Sequence, residues 1–204
     1  MRDAAASPDA SNAQCGRMVV VVGPSGAGKD TLMAYAAREL ASRPGMMFAR
    51  RVITRDGNAG GEDHDAVSQR QFEELDRAGR LAVSWHAHGL HYGIPAEAAD
   101  AIAAGCLVVA NGSRSALPRF QAAFPALTVI NVTASRDVLA ARLLARGRET
   151  RAEIARRLDR DAPALSGEYD VITIDNSGAL DVAGAAMVSA LSRCLRRMRD
   201  LRAD

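Results

Sequence analysis

Short β-branched runs alternate along the chain with longer stretches whose apolar residues recur at helical spacing. Residues 18–22 form an unbroken apolar run that stops at Gly23, the pattern of a strand buried on both faces. A helix is predicted over 29–42, stopped by Pro44 and Gly45. Residues 48–53 read as the next strand, although Arg50 and Arg51 interrupt its apolar character. The Gly- and Asp-rich stretch 56–65 reads as a loop. Ser68 and Gln71 make a capping box that starts a short helix, and Thr150 with Glu153 makes another. Further strands are predicted over 81–86, 107–110, 127–132 and 169–174. Helices are predicted over 95–104, from a Ser135 cap to about 146, and over 181–201. Such alternation implies a parallel sheet with helices on both faces, an α/β architecture.

No repeat or linker divides residues 17–204, so one domain is expected there behind a polar tail over 1–16. The tail lacks the apolar core of a secretory signal, and translation from Met18 is a further expectation. Aromatic residues make up only 4% of the chain, so Val, Leu, Ile and Ala must supply most of the core. A formal net charge of +2 is too small to point to nucleic acid, and any anion site must come from local clustering. Cys15, Cys106 and Cys194 are odd in number and lack metal-ligand spacing, which suits reduced thiols in a cytoplasmic protein. No run approaches the roughly 18 apolar residues of a membrane span. Oligomeric state is not legible.

Residues Gly23, Pro24, Ser25, Gly26, Ala27, Gly28 and Lys29 fit G-x-x-x-x-G-K between a strand and a helix. Glycines there let successive backbone N–H groups converge on phosphate oxygens, the helix N-terminus adds partial positive charge, and Lys29 adds a full one. ATP is therefore the expected ligand. Asp30 and Thr31 follow, where most such loops carry a hydroxyl for Mg²⁺. Asp30 either holds Mg²⁺ as a hard oxygen ligand or complements the helix dipole while Thr31 supplies the hydroxyl.

Thr54 and Arg55 end the second predicted strand, where open α/β sheets bind ligands, and Arg55 offers a planar fork for a phosphate. His86, His88, His91 and Tyr92 crowd a strand–turn–strand segment. A zinc pair from His86 and His88 is conceivable, but Tyr92 presenting its hydroxyl to an acceptor is the better use of that segment. Arg142, Arg146, Arg148, Arg151, Arg156 and Arg157 fall in two helices and one connection, either a solvated charged face or a lid over about 142–160 that closes on anions.

Taken in order, these stretches resemble the guanylate-kinase-like branch of P-loop kinases over residues 18–190. The resemblance implies a three-layer P-loop NTPase fold with a helical lid. It also implies an acceptor phosphate held by Arg55 and Tyr92, lid arginines at Arg142, Arg146 and Arg157, and Asn176 in the loop beside adenine. Guanylate kinases carry a Glu where Ser84 stands, and an acidic strand end where Asn111-Gly112-Ser113-Arg114 stands, so guanine reading is in doubt. Lys29-Asp30, Ile53-Thr54-Arg55-Asp56, Gly61-Glu62-Asp63-His64, the stretch 81–86 and Asn111-Gly112-Ser113-Arg114 together resemble the ribose 1,5-bisphosphate phosphokinases. That resemblance implies ATP with Mg²⁺, a small phosphorylated sugar as acceptor, 5-phosphoribosyl 1-diphosphate as product and a place in phosphonate catabolism. Arg114 is a candidate for the sugar's second phosphate. A nucleoside monophosphate kinase, a kinase acting on a hydroxyl and a non-catalytic binding module are the alternatives.

Overall fold

The structure, a computed structural model, describes residues 16–55, 63–147, 150–159, 165 and 169–200, with backbone alone at 157 and 159. Five parallel strands form the main sheet in the order β2-β7-β1-β8-β9. They are β1 (Arg17–Val22), β2 (Met46–Ala49), β7 (Leu107–Asn111), β8 (Leu127–Thr133) and β9 (Asp170–Asp175). The apolar run of β1 lies at the centre because it can be buried on both faces. Val19 and Val21 enter one core with α1 (Lys29–Glu39) and α7 (Leu180–Asp200), while Met18, Val20 and Val22 enter another with α4 (Leu117–Ala123). All five side chains are fully buried, each contributing about 1.5–3 kcal/mol of transfer free energy. α7 approaches α1 closely at Gly184, where a Cβ would meet the Tyr35 ring 2.7 Å away.

A second, mixed sheet stands beside the first in the order β4-β3-β6-β5, which simple strand–helix alternation does not predict. Its strands are β3 (Arg51–Ile53), β4 (His64–Ala66), β5 (Leu81–Ala87) and β6 (Leu90–Pro95). The single strand expected over 48–53 is two strands in two sheets, broken at Arg50. Arg50 cannot continue into a doubly buried sheet; its guanidinium pairs with Asp63 at 3.0 Å and Asp65 at 3.1 Å and donates to the His64 carbonyl. The end of the expected 56–65 loop is therefore strand β4, and 56–62 lie outside the described residues. The short helix α4, with Pro118 in its first turn, was also not foreseen.

Local signals for helix starts hold up. Ser68 caps α2 (Gln69–Arg77) with both halves of its box made: Gln71 N–H donates to Ser68 Oγ, and Ser68 N–H donates to Gln71 Oε1. Ser135 caps α5 (Arg136–Ala145), and the Thr150–Glu153 box opens α6 (Arg151–Asp159). The expected tail falls on residues outside the description except Gly16, which is buried and donates its N–H to the Ile102 carbonyl at 2.7 Å. In the expected lid, α5 and α6 pack together, with Leu139, Leu143 and Ile154 buried. No helix among the described residues is long and apolar enough to cross a membrane.

Candidate active site

The parallel strands β1, β7, β8 and β9 all end at one edge, where ligands bind in open α/β sheets. Residues 23–28 turn from β1 into α1 there. The left-handed Gly28 (φ 87°) is the N-cap, and no side chain caps α1, which leaves its first turn suited to an anion. A Cβ at Gly28 would overlap Asn176 Nδ2. Lys29 Nζ donates to the carbonyls of Gly23 at 3.0 Å and Pro24 at 3.3 Å, folding back over the loop it follows. Asp30 accepts at Oδ1 from Asn111 Nδ2, 2.5 Å away, so the end of β7 orients this carboxylate.

Two residues brace the loop from behind. Asn176, 2% exposed, donates from Nδ2 to the Ala27 carbonyl at 2.7 Å. Arg142 donates from Nη1 to the Gly26 and Ala27 carbonyls, both at 3.4 Å, and from Nη2 to the Asn176 carbonyl at 2.8 Å. Arg142 was expected among the lid arginines and Asn176 in the loop beside adenine; in the structure both side chains bond to the backbone of the glycine loop.

In front of the loop is a cleft of about 280 Å³. Gly23, Ser25, Gly26, Gly28, Lys29, Asp30 and Thr31 line one wall, with Arg146 at its margin. The other wall comes from the second sheet: Arg51, Arg55, Trp85, Ala87, His88 and Tyr92, joined by Asn111, Gly112 and Ser113 from the end of β7. Tyr92 and Trp85 are directly opposite across β6 and β5, and their rings stack with centroids 5.4 Å apart and planes 11° from parallel. Arg55 is tied to His64 twice. Its Nη2 lies 3.4 Å from His64 Nδ1, and its carbonyl lies 3.3 Å from His64 Nε2. An imidazole carrying its proton on Nε2 satisfies both contacts at once, accepting at Nδ1 and donating at Nε2.

Pro24 and Ala27 take part through backbone carbonyls that receive Lys29, Asn176 and Arg142. Arg114 does not line the cleft; its Nη2 donates to Asn131 Oδ1 at 2.9 Å, and burial lowers its guanidinium from the ordinary Arg value. The Arg157 and Arg148 side chains lie outside the described residues. His86 and His88 do not sit together as the conceivable zinc pair requires. His88 sits in the β5–β6 turn at φ 53°, and His86 faces His91 across the hairpin with ring centroids 5.0 Å apart. Among the described residues no three metal-ligating side chains cluster. Sequence reasoning gave no role to Arg51; its signal was a charge inside a predicted strand.

No family model matches the chain. It is 58% identical over 176 residues to the ribose 1,5-bisphosphate phosphokinase PhnN of Agrobacterium fabrum, a match covering 86% of this chain and 96% of that protein. To the protein of the same name from Rhizobium etli it is 57% identical over 185 residues, 91% of this chain and 94% of the other. Among solved structures, guanylate kinase from Anaplasma phagocytophilum superposes with a TM-score of 0.61 at 18% identity, covering 88% of this chain and 86% of that one. The last likeness shows the P-loop kinase fold, and identity above one half across nearly full-length relatives shows the nearer kinship. The chain belongs to the ribose 1,5-bisphosphate phosphokinase family.

Proposed function

We propose that the protein transfers the γ-phosphoryl group of ATP to the 1-phosphate of ribose 1,5-bisphosphate, giving ADP and 5-phosphoribosyl 1-diphosphate. The observation that carries this is the cleft itself: a glycine loop with Lys29 faces Arg55 and Tyr92 across a space with several cationic side chains. Backbone N–H groups of residues 23–29 and the Lys29 ammonium receive the ATP phosphates, for which Lys29 leaves the Gly23 and Pro24 carbonyls. Arg55 and Tyr92 hold the acceptor phosphate, and His64 sets the Arg55 fork. Arg142 and Asn176 keep the loop in shape, and Arg146 approaches from the expected lid.

An oxygen of the 1-phosphate attacks the γ-phosphorus; the new P–O bond forms as the bond to the β-phosphate oxygen breaks, and the electron pair leaves with ADP. No general base is needed, because a phosphate monoester with a second pKa of about 6 is largely dianionic at neutral pH. The task of the side chains is in-line placement and neutralisation of two anions that otherwise repel. Asp30 and Thr31 fit Mg²⁺: both line the cleft with hard oxygens, and Asn111 aims the carboxylate. Bound Mg²⁺ would supply further charge neutralisation at the β and γ oxygens. Asp30→Ser should weaken the Mg²⁺ dependence of ATP-analogue binding by calorimetry. An unchanged Mg²⁺ titration would give Asp30 to the helix dipole.

The test of the reaction is purified protein with Mg-ATP and separate GMP, AMP and ribose 1,5-bisphosphate, with products weighed by mass spectrometry. Conversion of the bisphosphate to 5-phosphoribosyl 1-diphosphate is the expected result. Asp30 is the only carboxylate in the described lining of the cleft, and Asn111 engages it, so among the described residues the donors of guanine lack a ready acceptor. Turnover of GMP alone would replace the proposal with a nucleoside monophosphate kinase. Transfer to none of the three would favour a binding module.

A further inference from the structure

His88 lines the cleft without a task in the proposed reaction. We propose that its imidazole binds the 2-hydroxyl of the pentose, beside the reacting phosphate, and so makes the acceptor site selective for ribose over 2-deoxyribose. The inference rests on ribose 1,5-bisphosphate being the acceptor.

Ala87 ends β5 and Leu90 starts β6, so His88 and Gly89 alone make the turn, both left-handed at φ 53° and 75°. Tight hairpin turns of this kind are well served by Asn, Asp or Gly, so the backbone by itself does not call for an imidazole. The turn lies at the Arg55 end of the second sheet. Thr54, which precedes Arg55, donates its N–H to the His91 carbonyl at 3.1 Å and accepts at Oγ1 from the His91 N–H at 2.9 Å. His91 is in turn the partner of His86 in the hairpin that His88 closes. An acceptor whose 1-phosphate is held by Arg55 therefore brings the adjoining carbon, C2 with its hydroxyl, towards His88.

Chemistry selects the hydroxyl. Phosphates are matched by full charges and N–H arrays, whereas a sugar hydroxyl both donates and accepts and is matched by a neutral group that does the same. Three other side chains on this wall have that property. Asn111 is engaged with Asp30, Ser113 Oγ lies 2.9 Å from Ser115 Oγ, and Tyr92 is assigned to the reacting phosphate. The His88 ring is exposed in the cleft and has no hydrogen-bond partner among the described residues. An imidazole with one proton donates at one nitrogen and accepts at the other, so it meets a hydroxyl in either sense. His86 and His91, the other imidazoles of the hairpin, face each other and do not line the cleft.

The experiment compares wild type with His88→Gly, which removes the ring and suits a left-handed position. Ribose 1,5-bisphosphate and 2-deoxyribose 1,5-bisphosphate serve as acceptors with saturating Mg-ATP, and kcat/KM is measured for each. Wild type should prefer the ribose compound. The variant should lose about 5- to 30-fold on it yet stay within about twofold of wild type on the deoxy compound, so most of the preference disappears. The KM of ATP should not move. Because the readout is a ratio within one preparation, a loss of folded protein cancels. An equal fall on both acceptors, or no fall on either, would overturn the assignment and leave His88 a turn residue; equal use of both acceptors by wild type would do the same. Should His88→Gly fail to fold, His88→Asn, which also suits the turn, decides: its shorter side chain should reduce the preference for ribose, and a wild-type preference sinks the proposal. A wild-type enzyme inert towards ribose 1,5-bisphosphate would refute the proposed reaction instead, a result separate from these.

Discussion

In the proposed reaction the glycine loop of residues 23–28 and the wall opposite it, from the second sheet, hold anions by different means. In the loop the ligand groups are backbone N–H atoms, shaped by left-handed glycines and steadied from behind by Asn176 and Arg142. In the facing wall the candidate groups are the side chains of Arg55 and Tyr92, placed by strand register and by contacts to His64 and Trp85. A backbone site needs glycine where φ is left-handed or a Cβ would collide, as at Gly28, and it leans on distant braces for its shape. A side-chain site can change its ligand through one substitution, which makes it the place where relatives with one fold diverge in acceptor.

Substitutions that strike one wall at a time test that contrast. Lys29→Met removes the one full charge of the loop and should lower turnover about 100- to 1,000-fold with the thermal melt preserved; wild-type turnover would discard the loop as the phosphate site. Arg55→Ala should raise the acceptor KM about 10- to 100-fold while that of ATP hardly moves, measured by varying each substrate in turn. The reverse split would move Arg55 to the nucleotide. Asn176→Ala takes away the buried bond to the Ala27 carbonyl and should cost about 1–3 kcal/mol in chemical denaturation, with ATP binding weakened more than acceptor binding. An effect confined to the acceptor would mean that the loop does not depend on its brace.

The smallest effect concerns α6. The backbone N–H of Thr150, and then its hydroxyl, hold the Glu153 carboxylate and lower its pKa from 4.5. A carboxyl depressed in the folded state stabilises it above the unfolded value and loses that contribution as pH falls through the folded one. Amide exchange in 150–156 should therefore quicken as pH drops below about 4, after correction for intrinsic rates, and Glu153→Gln should flatten that response. Full exposure of Glu153 keeps the effect small. Identical corrected profiles in the two proteins would remove this capping role.

Much of the nucleotide side was legible because its determinants are contiguous. An apolar run, a glycine-spaced turn and a lysine opening a helix specify strand, loop and helix by local sterics alone, and Gly23 to Thr31 fall where the pattern put them. The capping boxes at Ser68 and Thr150 were legible for the same reason. The second sheet was not, because Arg50 ends one strand and Arg51 starts another, and a charge within an apolar run does not say which sheet follows. The bonds of Arg142 and Asn176 to the loop backbone were not legible either, because motif positions do not say which backbone atoms a side chain reaches.

By itself the sequence determined an α/β chain with a phosphate-binding loop, since steric preference and hydrophobic period act over a few residues. Tertiary structure alone decided that Arg51, Arg55, Trp85 and Tyr92 form one wall opposite that loop, and that Asn111 reaches Asp30 from a strand 81 positions away. Pairings between β3, β5, β6 and β7 and their neighbours are fixed by long-range burial and hydrogen bonding, which no local pattern encodes.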